Sequence, residues 1–62
     1  MFRTAHIKFA DHASGTERTL TAQVFYNPAY NQFWQDDAVA EAVQRCCHLY
    51  GDFGIIDWTW VN

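Results

Sequence analysis

Two adjacent cysteines and three histidines are the candidate soft metal ligands of the chain: Cys46, Cys47, His6, His12 and His48. Zinc sites usually pair ligands two to four residues apart, so that both ligands reach one ion. Adjacent cysteines on a helix point about 100° apart. Near the carboxyl end of that helix, the dipole also disfavours a reactive thiolate. The pattern predicts no metal and no other cofactor, and a small metal or redox protein is only the third hypothesis for function.

Other residue combinations would suit general acid–base or nucleophilic chemistry. Asp11, His12 and Ser14 supply a carboxylate, an imidazole and a hydroxyl. A catalytic triad also needs an oriented base and a rigid oxyanion site, which a short hairpin loop does not provide. The neighbouring carboxylates of Asp36 and Asp37 are better explained as caps at the start of a helix. We therefore expect a protein that is not an enzyme.

Aromatic residues are more numerous than a core of this size can hide. They form 18% of the 62 residues, and aromatic side chains are frequent anchors of protein interfaces. Several of them precede or adjoin acidic residues that either cap a helix or attract a basic surface. Whether these aromatics are core or interface residues stays open. The candidate partner-binding residues are Tyr30, Phe33, Trp34, Asp36, Asp37 and Glu41.

The stretch from Asp36 to Gly51 has the spacing of one amphipathic helix. Asp36 or Asp37 is expected to cap its start, and Gly51 is expected to end it in the left-handed conformation. The preceding residues 32–35 fit either an earlier helical turn capped by Asn31 or an irregular segment. The apolar stripe consists of Val39, Ala42, Val43, Cys46 and Tyr50.

Three alternating stretches, residues 2–10, 19–26 and 55–61, predict β-strands. A polar turn containing Gly15, the expected residue of positive φ, joins the first two strands into a hairpin. The order predicts an α+β fold of ββαβ type, a three-stranded sheet with one amphipathic helix packed on one face, forming a single domain over residues 1–62. A right-handed crossover favours a central first strand antiparallel to the third, although the residues leave other strand orders open.

Strict alternation assigns the two faces of the sheet. On the face opposite the helix we expect a polar surface with one apolar island, formed by Phe25, Ile55 and Val61. Neither outer strand contains a proline, so both edges could accept another strand. The expected core comprises Ala5, Ile7, Phe9, Leu20, Ala22, Val24, Ile56, Trp58, Trp60, Val39, Ala42, Val43, Cys46 and Tyr50.

The charge balance and the termini restrict the partners. Seven acidic residues against four basic ones give a net charge of −3, the reverse of what direct nucleic-acid binding requires. No apolar run approaches the ~20 residues of a membrane span, and the first residues lack a secretory signal. Adjacent cysteines suit a reducing compartment. We expect a cytoplasmic protein, located in the host cell if phage-encoded, that binds neither membranes nor nucleic acid directly.

In length, element order and acidity the chain resembles very small proteins of phages and mobile elements, among them anti-CRISPR inhibitors. The hairpin of residues 6–24, followed by one amphipathic helix and a closing strand, carries this likeness. No signature motif accompanies it. The resemblance implies a protein that blocks a bacterial defence complex.

The leading hypothesis for function is therefore a non-enzymatic protein-binding inhibitor or modulator of anti-CRISPR type. It would act by steric occlusion, using its acidic and aromatic surface to cover the basic surface of a nucleic-acid-binding complex. The alternative is a small self-associating structural protein, a homodimer formed through a sheet edge or a sheet face.

Overall fold

A computed structural model describes residues 1–49 and 51–61. It contains strand β1 (Phe2–Asp11), strand β2 (Thr16–Phe25), helix α1 (Gln32–Cys47) and strand β3 (Phe53–Trp60). β1 lies between β2 and β3 and runs antiparallel to both. The helix packs on one face of this sheet, so the predicted ββαβ fold and its central first strand are confirmed. β2 begins earlier than predicted, because its pairing with β1 continues to the turn.

Asp11 organises the hairpin turn. Its carboxylate accepts the backbone N–H groups of Ala13 at 3.1 Å and Ser14 at 3.4 Å. The guanidinium of Arg18 donates to the same carboxylate at 3.3 Å. Gly15 has a φ of +70°, which confirms the predicted glycine of positive φ and lets the chain reverse without a Cβ penalty.

The core forms between the helix-facing side of β1 and β2 and the buried stripe of α1. Most of the predicted members are confirmed, while Leu20, Trp58 and Trp60 are only partly buried against the core. Tyr50, which was also assigned to the core, lies outside the described residues. The fully buried apolar set is Ala5, Ile7, Phe9, Ala22, Val24, Val39, Ala42 and Val43.

A β-bulge in β3 reverses the expected positions of Ile55 and Ile56. Lys8 pairs with Asp57, but Phe9 pairs with Ile55, so Ile56 is an extra residue without a partner on β1. Ile55 therefore packs against the core, whereas Ile56 is 48% exposed. The assignment of Ile56 to the core was wrong, because a two-residue period cannot anticipate an inserted residue.

The apolar island expected on the outer sheet face does not form. Ile55 lies on the helix side of the bulge. The Phe25 ring contacts Phe2, directly opposite it on β1. Val61 pairs separately, its N–H donating to the Thr4 carbonyl at 3.0 Å. The bulge is the physical reason, because it moves one of the three expected members to the other face.

The helix begins one turn earlier than the stretch predicted from periodicity. Asn31 caps it, with the side-chain oxygen accepting the Trp34 N–H at 2.9 Å. Residues Gln32–Gln35 are thus helical, as one of the two alternatives proposed. Asp36 and Asp37 fall in the second turn, beyond the orphan N–H groups that a cap satisfies, so the prediction that either is the cap was wrong.

The helix also ends before Gly51. His48 adopts the left-handed conformation at φ 55°, and its N–H donates to the Gln44 carbonyl at 2.8 Å. Gly51 has a φ of +92° but lies in the connection that follows. Residues other than glycine seldom adopt a positive φ. For this reason the sequence favoured Gly51, rather than His48, as the residue that ends the helix.

The buried face of α1 follows a row of residues four apart: Gln35, Val39, Val43 and the partly buried Cys47. Ala42 is buried beside this row. Cys46 is exposed, so its assignment to the core was wrong. The i+4 row slants around the helix, which carries the buried stripe to the second cysteine rather than the first.

The turn predicts a pH-dependent stability. Burial by itself raises the pKa of Asp11, but the hydrogen bonds from Ser14, Arg18 and Ala13 outweigh it and hold the pKa below the ordinary value of 3.8. A carboxyl with a lowered folded-state pKa stabilises above its unfolded pKa, and this contribution disappears as pH falls through the folded pKa. Asp11→Asn should therefore unfold at lower urea than wild type at about pH 6, with the difference shrinking below about pH 4.

The exposed Asp37→Asn is the matched control for this series, because it removes a carboxylate outside the turn. Urea unfolding followed by circular dichroism measures both. A destabilisation by Asp11→Asn that is constant down to about pH 2 would contradict the assigned role of the ionised carboxylate.

The bulge makes a second prediction from two neighbouring residues of the same type. Ile55→Ala removes partly buried methyl groups from the core and should lower the free energy of unfolding by about 1–2 kcal/mol. Ile56→Ala acts on an exposed side chain and should cost roughly 0.5 kcal/mol or less. Urea unfolding measures the free energy of unfolding of both variants. A larger loss of this free energy for Ile56→Ala than for Ile55→Ala would show that the bulge is assigned to the wrong residue.

Candidate protein-binding surface

Four aromatic side chains contact one another in series along one side of the molecule. Phe2 and Phe25 have ring centroids 5.6 Å apart, Phe25 and Tyr30 are 5.9 Å apart, and Tyr30 and Trp34 are 5.8 Å apart. The end pairs are edge-to-face, a favoured geometry for aromatic rings. We call Phe2, Phe25, Tyr30 and Trp34 the aromatic row.

Much of the aromatic row faces solvent. Phe2 is 57% exposed, Phe25 is 38% exposed and Trp34 is 56% exposed, while Tyr30 is half-buried between its two ring neighbours. Single exposed apolar residues are ordinary on protein surfaces, but a contiguous apolar patch is typical of an interaction site. The row is such a contiguous patch.

Acidic side chains of α1 border the aromatic row. Trp34, Asp37, Glu41 and Arg45 follow one another at spacings of three or four residues, which places them along one side of the helix. Together with the row they form an open groove of about 440 Å³. We call it the aromatic–acidic groove, and it is lined by Phe2, Phe25, Tyr30, Trp34, Asp37, Ala38, Glu41 and Arg45.

The carboxylates of the groove are accessible, while its one cationic side chain is partly engaged. Asp37 is exposed, and the Glu41 side chain is 76% exposed. Arg45 donates to the Gln23 carbonyl at 3.0 Å and lies 4.0 Å from the Glu41 carboxylate. An exposed pair at that distance contributes little, so the groove presents mainly negative charge.

Polar contacts within the β2–α1 connection hold the row in place. Gln35 is 7% exposed, and its side-chain amide donates to the Phe25 carbonyl at 2.8 Å. The Asn27 side chain accepts the Ala29 N–H at 2.9 Å, and its carbonyl accepts the Tyr30 N–H at 2.9 Å. These bonds fix the positions of Tyr30 and of the first helical turn, so the groove exists before any partner binds.

The structure divides the six candidate residues into two groups. Tyr30, Trp34, Asp37 and Glu41 line the aromatic–acidic groove. Phe33 is 71% exposed but is outside the groove lining, because its position on the helix turns it about 100° from Trp34. The role of all six in binding stays a prediction, while their placement favours the first four.

Asp36 lies on the side of α1 that faces β3. Its carboxylate accepts the indole N–H of Trp58 at 2.8 Å and the side-chain amide of Gln32 at 2.9 Å. A partly buried indole N–H requires an acceptor. This contact joins the first half of the helix to the outer strand, which gives Asp36 a structural part in the fold.

Phe2 and Phe25 belong to the groove but were not among the candidates. Phe25 was placed in the outer-face island, and Phe2 was regarded only as the first residue of a strand. The available signal was their cross-strand pairing, because residues directly opposite in an antiparallel pair have adjacent side chains. Finding it requires the register of the hairpin, which periodicity does not provide.

A second aromatic cluster lies on the helix side of the sheet, where its three rings are partly buried. Trp58 and Trp60 have centroids 4.9 Å apart, and Trp60 and Tyr26 are 5.6 Å apart. The guanidinium of Arg3 lies 4.5 Å from the Trp60 ring centroid and 4.9 Å from that of Tyr26, within cation–π range. The abundance of aromatics therefore has two explanations, namely partial burial around Arg3 and exposure in the aromatic row.

The potential chemistry of the remaining candidates is limited by their positions. The Asp11 carboxylate bonds the turn amides, and the Ser14 hydroxyl lies 2.7 Å from that of Thr16. Among residues 1–49 and 51–61, no three His, Cys, Asp or Glu side chains are grouped so that they could hold a metal ion.

Within the same residues, no helix has the length and apolar character needed to cross a membrane.

Comparisons of this chain with protein-family models, curated proteins and solved structures found no match.

The different placement of Asp36 and Asp37 predicts different effects of the same substitution. Asp36→Ala leaves the partly buried Trp58 indole N–H without its acceptor and should lower the free energy of unfolding by about 1–2 kcal/mol. Asp37→Ala changes an exposed side chain and should change it by less than about 0.5 kcal/mol. Urea unfolding measures the energies, and nuclear magnetic resonance should show one shifted indole N–H signal only for Asp36→Ala.

Proposed function

We propose that this protein is a non-enzymatic inhibitor or modulator that binds a larger protein complex through its aromatic–acidic groove. The observation that carries the proposal is the contiguous exposed row of aromatic rings bordered by accessible carboxylates. The partner is a nucleic-acid-binding complex with a basic surface. The inhibitor acts by occupying that surface, so no chemical step is required of it.

The aromatic row supplies the apolar part of the binding energy. Trp and Tyr are the residues most enriched among energetic hot spots, where a few buried side chains provide most of the affinity. Trp34 stands at the end of the row with 56% of its surface available. Its indole can enter a pocket of the partner while Tyr30 supports its inner edge.

The carboxylates supply orientation and speed of association. Asp37 and Glu41 border the row, and the whole chain has a net charge of −3. Complementary charge accelerates encounter and selects against wrong partners more than it adds affinity. A surface that normally binds nucleic acid is basic, so it is the kind of surface that these carboxylates complement.

The rigidity of the groove favours binding without rearrangement. The bond from Gln35 to the Phe25 carbonyl and the Asn31 cap both fix the start of α1 before contact. A pre-organised surface loses less conformational entropy on association. A chain of 62 residues can therefore present a defined surface despite its small core.

The likeness to small phage proteins supplies the proposed target class. An anti-CRISPR protein of this kind would enter the basic channel or target-binding surface of a CRISPR effector and exclude the nucleic acid sterically. Small size and acidity both suit that role, because they allow entry into a site shaped for a nucleic-acid backbone. Such an inhibitor would act in the cytoplasm of an infected bacterial cell.

The test compares groove variants with a matched variant outside the groove. Trp34→Ala should weaken binding to the target complex about tenfold or more. Asp37→Asn combined with Glu41→Gln should slow association and flatten the dependence of affinity on salt. Phe33→Ala also removes an exposed aromatic ring from the first helical turn, but Phe33 lies outside the groove lining, so this variant should weaken binding less than Trp34→Ala does.

Two measurements check these variants. Plaque counts of a phage targeted by an active CRISPR system report inhibition in cells, and biolayer interferometry with the purified effector reports affinity at several salt concentrations. Wild type and Phe33→Ala should restore plaque formation, whereas Trp34→Ala should not. Equal effects of Trp34→Ala and Phe33→Ala, or wild-type protein without effect on the effectors, would contradict the proposal.

A further inference from the structure

Alternation of hydrogen bonds determines which backbone groups of the two outer strands point away from the sheet. Tyr26 donates to the Met1 carbonyl at 2.8 Å, which sets the alternation between β1 and β2. The Val61 N–H donates to the Thr4 carbonyl at 3.0 Å, which sets it between β1 and β3. The outward-facing residues are thus Glu17, Thr19, Thr21, Gln23 and Phe25 on β2, and Trp58 and Trp60 on the last part of β3.

The edge of β3 is protected by its own side chains. The Asp57 carboxylate accepts the outward-facing N–H of Trp58 at 2.9 Å, so a strand that added here would have to displace this carboxylate. The bulge at Ile56 adds a local kink. Local side-chain contacts and bulges are common means by which proteins prevent strand addition at a sheet edge.

The second half of β2 is protected by the helix. The Gln35 amide donates to the outward-facing carbonyl of Phe25 at 2.8 Å. The Arg45 guanidinium donates to the outward-facing carbonyl of Gln23 at 3.0 Å. A strand that added here would have to displace both side chains.

The first half of β2 has no such protection. Within residues 1–49 and 51–61, no contact occupies the outward-facing backbone groups of Glu17, Thr19 or Thr21. No proline interrupts this segment. Residues 17–21 therefore form an exposed strand edge suited to pairing, and we call this segment the open edge.

We propose that the open edge pairs antiparallel with the open edge of a second copy of this chain. The outward-facing residues are symmetric about Thr19, so a two-fold axis at Thr19 pairs Thr19 with its own counterpart and Glu17 with Thr21 of the other copy. Each such pair exchanges both backbone bonds, giving roughly six hydrogen bonds in all. The two sheets then form one continuous six-stranded sheet around an isologous interface.

The charges at the open edge favour a second copy of this chain as the partner, and they also favour one register of pairing. The Lys8 ammonium lies 3.3 Å from the Glu17 carboxylate. The negative charge at the open edge is therefore balanced locally, although the chain has a net charge of −3. Centring the pairing on Glu17 or Arg18 would place like charges directly opposite, which is unfavourable. Centring it beyond Thr19 would move the pairing toward Gln23, where Arg45 occupies the carbonyl. A centre at Thr19 avoids both problems.

The interface leaves the aromatic–acidic groove accessible. Of the groove residues, only Phe25 belongs to β2, and it lies outside residues 17–21. The dimer consequently presents two grooves, and its formation does not depend on the proposed inhibitory function. Because the pairing covers a short edge, the expected association is weak, with a dissociation constant of about 100 µM.

Analytical ultracentrifugation from about 10 µM to about 1 mM tests the pairing at concentrations that bracket this affinity. Wild-type protein should shift from monomer to dimer over that range. Thr19→Lys and Thr19→Glu should each weaken dimerisation about tenfold or more, because the two-fold axis places like charges opposite each other. An equimolar mixture of the two variants should recover association as a heterodimer, which also shows that both variants are folded.

Thr59→Lys is the matched control, since it places the same charge at an exposed threonine of the protected β3 edge. This variant should dimerise as wild type does. A wild-type protein that is monomeric at about 1 mM would overturn the proposal, as would dimerisation lost in Thr59→Lys but retained in Thr19→Lys. Failure of the mixed variants to associate would overturn the register centred on Thr19.

Discussion

The hydrogen bond from the buried Gln35 amide to the Phe25 carbonyl is the contact on which the arrangement of this small protein depends. It attaches the first helical turn to the end of β2 and thereby determines where α1 crosses the sheet. A buried amide without a partner would cost about 1–3 kcal/mol, so the helix is not free to shift along the strand. The same bond occupies an outward-facing carbonyl and closes part of the sheet edge.

The position of the helix decides which aromatic residues are covered. On the helix side of the sheet, the Tyr26 and Trp60 rings contact the Arg3 guanidinium, and the Trp58 ring packs on Trp60. The Asp36 carboxylate satisfies the Trp58 indole and connects this cluster to the helix. On the other side of α1, no helix or strand of the described residues covers the aromatic row, which remains in contact with solvent. Because the helix covers only part of the sheet, some aromatic rings are partly buried at the edge of the core and others remain on the surface.

The proposed inhibitor function and the proposed dimer use different parts of this asymmetry. The groove combines exposed rings with carboxylates, which suits a basic macromolecular surface. The open edge presents exposed backbone groups and threonine side chains, and these suit pairing with another strand. Asp57 on β3 and Arg45 over β2 occupy outward-facing backbone groups and so hinder the addition of a strand there. Strand pairing is therefore confined to the open edge.

The elements and their order followed from local patterns, because hydrophobic spacing reports burial along a single strand or helix. Val39, Ala42 and Val43 identified the buried helix face, and Ala5, Ile7 and Phe9 identified that of the central strand. The bulge was beyond this reasoning, since an inserted residue depends on how β3 meets β1. For that reason Ile56 was assigned to the wrong face. Cys46 was misplaced because the slant of the helix on the sheet selects the buried row.

The sequence by itself determined the fold class, the hairpin with Gly15, the acidic charge and four of the residues that line the groove. Only the tertiary structure decided that Phe2 and Phe25 continue the row begun by Tyr30 and Trp34, and that the Asp36 carboxylate accepts the Trp58 indole N–H. The physical reason is the same in each case. Periodicity specifies a side of an element, whereas the contacts between elements depend on strand register and on the side chains that hold the helix in place.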